Sequence, residues 1–98
     1  MYLTFHISGN LFTLRKKGHV CENPNFEQDL GIFGTVTECA LACKDHATCK
    51  YFSYRRWEGI GQLPASGKCY WERTIAADCP GGFVENDKYD FYALSGNI

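Results

Sequence analysis

Cysteine is the residue type in this 98-residue chain whose number and spacing most clearly indicate a chemical role. The six cysteines are Cys21, Cys39, Cys43, Cys49, Cys69 and Cys79. Thiols form disulfides in oxidising compartments, whereas thiolates bind metals or attack substrates. An even number of cysteines in so short a chain is typical of a disulfide framework. We therefore predict three disulfides, with the pairing left open by the residues alone, and a location outside the cell, at its surface or in an oxidising lumen.

A zinc site is the alternative interpretation of the same residues. Cys39, Cys43, His46 and Cys49 place three thiols and an imidazole close together in the sequence. Zinc sites favour two cysteines separated by two residues, because that turn directs both thiolates at one metal ion. A zinc site here would also leave the other cysteines without a role. We predict no metal ion and no other cofactor.

A calcium site is the second metal hypothesis. Glu85, Asp87 and Asp90 are hard oxygen ligands at short spacing. The ligand order of an EF-hand loop is missing, however. We interpret these carboxylates as a solvated acidic loop in front of a strand.

Catalytic residues are not predicted. The histidines His6, His19 and His46 are available as bases, but the sequence lacks the motifs of serine hydrolases, zinc proteases and phosphate-binding loops. His19 lies two residues before Cys21, yet a cysteine in a structural disulfide is not a free nucleophile. We therefore predict that the protein is not an enzyme.

One helix is predicted among the elements that must position the cysteines. Thr35 and Glu38 fit a capping box, in which each side chain satisfies the other residue's free backbone amide. An apolar stripe follows at helical spacing. Its members are Val36, Cys39, Ala40, Cys43 and Ala47. We expect the helix to end near Asp45 and His46.

Short strands are predicted on both sides of this helix from aromatic and alternating residues. Before the helix they are Tyr2–Ile7, Leu11–Leu14 and His19–Cys21, with the basic run Arg15–Lys17 between the last two. After the helix they are Cys49–Arg56, Lys68–Thr74 and Tyr89–Leu94. The predicted loops and turns are Glu22–Gly34, Glu58–Lys68 and Ile75–Gly82. One helix among short strands indicates the α+β class with an antiparallel sheet.

The cysteines and their neighbours together resemble the PAN/apple domain family. That family has a helix with Cys-x3-Cys, a cysteine followed closely by Phe-x-Tyr, and a later cysteine followed by a hydrophobic pair. The corresponding segments are residues 37–43, 49–54 and 67–71. The resemblance covers about residues 21–94. The segment Tyr-Asp-Phe-Tyr at residues 89–92 is also similar to the closing strand of the related N-terminal domain of hepatocyte growth factor.

The resemblance implies a fold, a disulfide pairing and a domain arrangement. The implied fold is α+β, a small antiparallel sheet crossed by one helix. The implied disulfides are Cys21–Cys79, Cys39–Cys69 and Cys43–Cys49. We accordingly predict an N-terminal β extension in residues 1–20, a PAN/apple-like domain in residues 21–94 and a tail in residues 95–98.

Charge and hydropathy limit the classes of partner. Ten lysines and arginines against eleven aspartates and glutamates give a net charge of −1, so nothing draws the whole chain to nucleic acid. Apolar stretches are broken by polar residues and glycine, so no transmembrane segment is predicted. The predicted partners are protein and glycan. We expect the domain to be one part of a larger protein or complex.

An aromatic surface with basic neighbours is the predicted binding site. Phe52 and Trp71 are expected in the core, whereas Trp57, at the edge of a glycine-rich loop, is expected at the surface. Aromatic rings stack on the apolar faces of sugars, and guanidinium groups bind hydroxyls or acids. The predicted ligand-binding residues are Lys50, Tyr54, Arg55, Arg56, Trp57 and Tyr70.

We expect from this combination a non-catalytic recognition or adhesion module that is secreted or exposed and binds protein or carbohydrate. Two alternatives stay open. The first is a lectin, which the resemblance implies for galactose, as in parasite surface adhesins, or for heparin. A heparin site would use one basic face built from Arg15, Lys16, Lys17, His19, Lys50, Arg55 and Arg56. The second is a structural accessory subunit of a larger assembly in an oxidising lumen.

Overall fold

Five antiparallel strands and one helix form the described part of the chain. The computed structural model describes residues 11–21, 27–57, 66–73, 79 and 82–95. In chain order the elements are β1 (Phe12–Cys21), β2 (Glu27–Ile32), α1 (Val36–Lys44), β3 (Tyr51–Arg55), β4 (Lys68–Glu72) and β5 (Phe83–Leu94). The strands form one sheet in the order β1-β5-β3-β4-β2, and each neighbouring pair is antiparallel. The predicted α+β class is confirmed.

Helix α1 begins where its capping residues predict, and it ends next to Asp45, as expected. The Thr35 hydroxyl oxygen accepts a hydrogen bond from the Glu38 N–H at 3.2 Å. The Glu38 carboxylate accepts from the Gly34 N–H at 3.1 Å, one residue earlier than in the standard capping box. The helix ends at Lys44, and Asp45 is its C-cap. Two backbone amides at the chain's entry to the helix are thus satisfied by side chains.

The side of α1 that faces the sheet consists of small residues. Cys39, Ala40 and Cys43 are buried there. Cys39 forms a disulfide with Cys69 of β4, and Cys43 forms one with Cys49 just before β3. Because small side chains bury little apolar area, covalent bonds supply much of what holds the helix on the sheet.

Aromatic residues fill the layer between α1 and the sheet. Phe52, Tyr54 and Trp71 are buried in it together with four of the cysteines. The ring of Tyr92 stacks on that of Phe52 with 5.1 Å between centroids, and Phe12 meets both rings edge-on. The expectation that Phe52 and Trp71 are core residues is confirmed.

A second apolar cluster lies on the opposite face of the sheet. Its buried members are Cys21, Cys79 and Phe91, with Tyr51 and Phe83 packed against them. Cys21 and Cys79 are joined by the third disulfide. The sheet therefore has apolar material on both faces, and a disulfide is part of each layer.

Strand β5 bends back over this second face together with the end of β1. The rings of Phe83 and Phe91 are 5.2 Å apart, although eight residues of straight strand would span about 26 Å. The pairing shows where the bend lies. Between the pairs Lys17–Asp90 and His19–Glu85, β1 advances two residues while β5 runs through five. We name the bent part, residues 18–21 and 83–88, the arm.

Three predictions about strands are wrong in ways that have physical causes. The predicted loop Glu22–Gly34 contains β2, whose alternation is interrupted by an irregularity between Asp29 and Gly31. Leu11–Leu14 and His19–Cys21 are parts of one strand, β1, because the basic residues between them are exposed and still pair with β5. The last strand begins at Phe83 rather than Tyr89, because the arm carries polar residues that hide its extended backbone.

Smaller differences concern element ends and boundaries. The strands predicted over Cys49–Arg56 and Lys68–Thr74 are β3 and β4, each shorter than predicted. β1 runs across the predicted boundary between residues 20 and 21 and belongs to the same sheet as the other strands. The predicted strand Tyr2–Ile7 and most of the loops Glu58–Lys68 and Ile75–Gly82 lie outside the described residues.

Candidate functional site

The six residues predicted to bind ligand lie in three separate places. Tyr54, Arg56 and Trp57 line one groove beside the start of α1. Tyr70 and Arg55 lie on the other face of the sheet, because successive strand residues alternate between faces. Lys50 lines a small pocket of about 160 Å³ at the end of the helix. The structure therefore brings three of the six together.

The basic face proposed for heparin is divided in the same way. Arg56 and the pair Lys17–Asp90 belong to the helix side of the sheet. Lys16 pairs with Phe91, and its ammonium lies over the Phe83 ring on the opposite side. Lys17 and Arg56 thus lie on one face of the sheet and Lys16 and Arg55 on the other, so the predicted residues do not form one basic face.

The groove on the helix side has a cavity volume of about 330 Å³. It lies between the N-terminus of α1, the C-terminal end of β3 and the second half of β5. We name it the Trp57 groove. Its lining residues are Gly34, Thr35, Val36, Tyr54, Arg56, Trp57, Asp90 and Tyr92.

The indole of Trp57 lies against backbone on one side, and 43% of the residue is exposed. A Cβ atom at Gly67 would lie 2.8 Å from the indole Cε3 and 2.5 Å from the Phe33 carbonyl oxygen. Gly67 also has a φ of +82°, which residues with side chains rarely adopt. Glycine at this position is what allows the ring to rest on the chain.

Arg56 and Asp90 form an ion pair inside the groove. The Arg56 Nη1 donates to the Asp90 Oδ1 at 2.7 Å, and the side chains are 39% and 5% exposed. The same oxygen accepts from the Gly18 N–H at 2.8 Å. The buried carboxylate thus has charged and neutral donors, and it holds the guanidinium at the groove surface.

Two tyrosines form the inner wall of the groove. The Tyr54 hydroxyl donates to the Phe33 carbonyl oxygen at 2.7 Å, and burial raises the pKa of this hydroxyl. Burial also raises the pKa of Tyr92 to about 12. Both side chains are therefore neutral at physiological pH, and Tyr54, at 3% exposed, supports the groove from below.

The chemistry that the groove offers is that of non-covalent recognition. An exposed indole can stack on a flat apolar surface, and the exposed part of the Arg56 guanidinium and the Thr35 hydroxyl can hydrogen-bond. All six cysteines are in disulfides. Among the described residues, no group of three histidines, cysteines or carboxylates could hold a metal ion.

Asp90 and Tyr92 are groove residues that sequence reasoning missed. Asp90 is one of the three carboxylates of the calcium hypothesis, but Glu85 and Asp87 are exposed on the arm whereas Asp90 is buried in its ion pair. A signal for Asp90 was present in the sequence. It shares the inward face of β5 with Tyr92 and Leu94, and a charged residue in such a row needs a partner.

Comparisons with known proteins give one match. The family model described as PAN domain matches residues 14–96. No curated protein matches the chain, and no solved structure does. Helix α1, the one helix of the described residues, has nine residues and is too short to span a membrane. The pairings Cys21–Cys79, Cys39–Cys69 and Cys43–Cys49 are those that the resemblance implies, and with a family match over most of its length the chain belongs to the PAN domain family.

Proposed function

We propose that this chain is a non-catalytic recognition module of an oxidising, extracytosolic compartment and that it binds neutral carbohydrate in the Trp57 groove. PAN domains are known as modules that bind proteins or carbohydrates and are generally non-catalytic. Three disulfides agree with an oxidising environment. The observation that carries the choice of carbohydrate is the exposed Trp57 indole beside the Arg56 guanidinium.

The two side chains match the two surfaces of a sugar ring. The C–H face of a pyranose packs on an indole, while its hydroxyls accept and donate hydrogen bonds at the edge. A cavity of about 330 Å³ lies at the lower end of the range for small-ligand sites. We therefore expect a terminal mono- or disaccharide as the bound unit.

Neutral sugars are favoured over sulfated ones because of the charges. Arg56 is paired with Asp90 at 2.7 Å, so the groove offers donors without an excess positive charge. A polyanion such as heparin gains affinity from several unpaired cations on one surface. Here the cations are divided between faces, and the net charge is −1.

Glycan arrays with the oxidised protein test this proposal. We expect signals on neutral terminal sugars, loss of binding by at least roughly tenfold in Trp57→Ala, and retention of most binding in Trp57→Phe, which keeps a ring. Leu41→Ala is the matched control, because Leu41 is also exposed, at 48%, and lies outside the groove.

The array result separates the alternatives. Sugar binding that is unchanged in Trp57→Ala would contradict the groove as the site. Retention on heparin that fades with salt, without signals on neutral sugars, would contradict the preference for neutral ligands. Tryptophan fluorescence gives a second readout, because Trp57 is exposed and Trp71 is buried, so a ligand on the groove should alter the emission of Trp57.

A further inference from the structure

We propose a second binding site, a cleft for an organic ammonium group, on the face of the sheet opposite the Trp57 groove. It has a volume of about 220 Å³ and uses residues that the proposed sugar site does not. We name it the tyrosine cleft. Its lining residues are Val20, Glu27, Tyr70, Asn86 and Tyr89.

The two tyrosines come from strands on either side of β3. Tyr70 pairs with Ser53, and Tyr89 pairs with Arg55. The ring centroids of Tyr70 and Tyr89 are 6.2 Å apart, with 36° between the planes. Ser53, between them, is small and fully buried. Two tilted aromatic rings that line one cleft can form two walls of a cage for a compact cation.

The arm forms the side of the cleft away from the sheet. Val20 and Asn86 are arm residues, and they line the same cleft as Tyr70 and Tyr89. The arm is held by the disulfide of Cys21 and by the hydrogen bond from the Gly18 N–H to Asp90. A covalent and a polar anchor thus attach the arm, which lines one side of the cleft.

The charge that lines the cleft is negative. Among the described residues, Glu27 is the one charged residue that lines the cleft. Burial, and after it the neighbouring Tyr70, raises the pKa of Tyr89 to about 12, and Glu27 contributes to the same shift while Arg55 opposes it. Because Glu27 lines the same cleft as both tyrosines, its carboxylate can face a cation seated against the rings. Arg55 lies beside Tyr89 without lining the cleft.

Tyr70 already carries an ammonium group of this chain. The Lys68 Nζ lies 5.4 Å from the centroid of the Tyr70 ring. Its charge is matched by an ion pair with Asp29. The ring environment thus accepts an ammonium at cation–π distance, and the carboxylate of Glu27 is available to a ligand at the neighbouring cleft.

Nuclear magnetic resonance titration of the oxidised full chain with tetramethylammonium tests the site. We expect saturable shifts of the Tyr70 and Tyr89 ring signals. The uncharged isostere tert-butanol should bind at least roughly tenfold more weakly, because it lacks the charge that the rings and Glu27 attract. Equal shifts with both probes would overturn the proposal.

Variants separate the cleft from general electrostatics. Glu27→Gln should weaken tetramethylammonium binding several-fold, and Tyr89→Leu should abolish it. Glu85→Gln is the matched control, because Glu85 is an exposed carboxylate of the arm outside the cleft. If Tyr89→Leu fails to fold, Glu27→Gln still decides, because Glu27 is exposed at the start of β2. Equal weakening by both Gln variants would contradict the cleft.

Two further probes distinguish the source of the ammonium. Choline represents a free small ligand, and a short peptide with a central lysine represents a partner protein. The same peptide with norleucine in place of lysine is its control. Binding of choline that is tighter than that of tert-butanol supports the site and indicates a free small ligand. Binding of the lysine peptide that is tighter than that of the norleucine peptide supports the site and indicates a partner protein. Shifts at the Trp57 groove in place of the tyrosine rings would overturn the assignment.

Discussion

Gly67 is the residue on which the exposed indole of the proposed sugar site rests. Its N–H donates to the Arg55 carbonyl oxygen, and its own carbonyl accepts from the Phe33 N–H, both at 2.9 Å. Its conformation and the nearby atoms leave no room for a side chain. The contact of the Trp57 ring with the chain therefore depends on one glycine.

Gly67→Ala should lower the free energy of unfolding by about 3 kcal/mol, roughly 1 from the positive φ and roughly 2 from contacts with Phe33 and Trp57. It should also weaken sugar binding. Gly82→Ala is the control, because Gly82 has a φ of +95° but nothing within 4 Å of an added Cβ. It should cost only the first part, about 1 kcal/mol. Equal losses in urea denaturation would contradict the contact between residue 67 and the indole.

The helices and strands differ in how well the sequence predicts them. The start of α1 was predictable because Thr35 and Glu38 make local contacts whose geometry depends on sequence spacing alone. β2 was not, because its pairing with β4 depends on distant residues and because Gly31 breaks its alternation. The same distinction applies to the candidate site. The exposure of Trp57 was predictable because it lies at the edge of a glycine-rich loop. The ion pair of Asp90 with Arg56 was not predictable, because the two residues are 34 positions apart in the sequence.

Two disulfides act on α1 in unequal ways. All four of their cysteines are buried, so that loss of side-chain packing is similar for both pairs. The bond between Cys39 and Cys69 closes 30 residues and joins the helix to a strand. The bond between Cys43 and Cys49 closes only 6 residues. The position of the helix thus depends chiefly on the first.

Replacing Cys39 and Cys69 together by alanine should therefore destabilise the protein more than replacing Cys43 and Cys49 together. The difference in loop-closure entropy alone is about 1.4 kcal/mol. Equilibrium denaturation of the two double variants measures it, with the third disulfide intact in both. Equal stability, or a greater loss in the second variant, would contradict the view that the long-range bond fixes the helix.

At the scale of the whole molecule, one sheet carries an apolar layer on each face. All six cysteines are buried, four in the layer under α1 and two in the layer under the arm. A chain of this size builds only a thin core from apolar side chains. The disulfides therefore serve both layers. The half-buried tyrosines Tyr89 and Tyr92 lie on opposite faces of the sheet. Their protonation therefore depends on the packing of both layers.

Raising the pH above 10 should destabilise the protein as a whole. The pKa values of Tyr89 and Tyr92 are raised from 10.0 to about 12, chiefly by burial. Between these values the unfolded chain has lost protons that the folded chain keeps, so stability falls as the pH rises. The contribution is fully present below pH 10 and is lost by about pH 12.

Denaturation at several alkaline pH values measures this slope. The variants Tyr89→Phe and Tyr92→Phe should each reduce it, because phenylalanine does not titrate. An unfolding free energy that rises across this interval, or a slope unchanged in both variants, would contradict the burial of the two hydroxyls. Titration of the folded protein followed by tyrosinate absorbance measures the pKa values of Tyr89 and Tyr92 independently.

Asp90 connects the Trp57 groove with the arm. One oxygen of its carboxylate receives the Arg56 guanidinium of the Trp57 groove and the Gly18 amide at the bend of the arm. A sugar that draws the Arg56 guanidinium toward itself weakens its hydrogen bond to the Asp90 oxygen, which also accepts the hydrogen bond from the arm. The arm in turn lines the tyrosine cleft. We therefore expect binding at the two proposed sites to be linked, and linkage is reciprocal: each ligand would alter the affinity for the other by the same factor. We expect such a domain to respond to two signals presented together on one surface more sharply than to either alone.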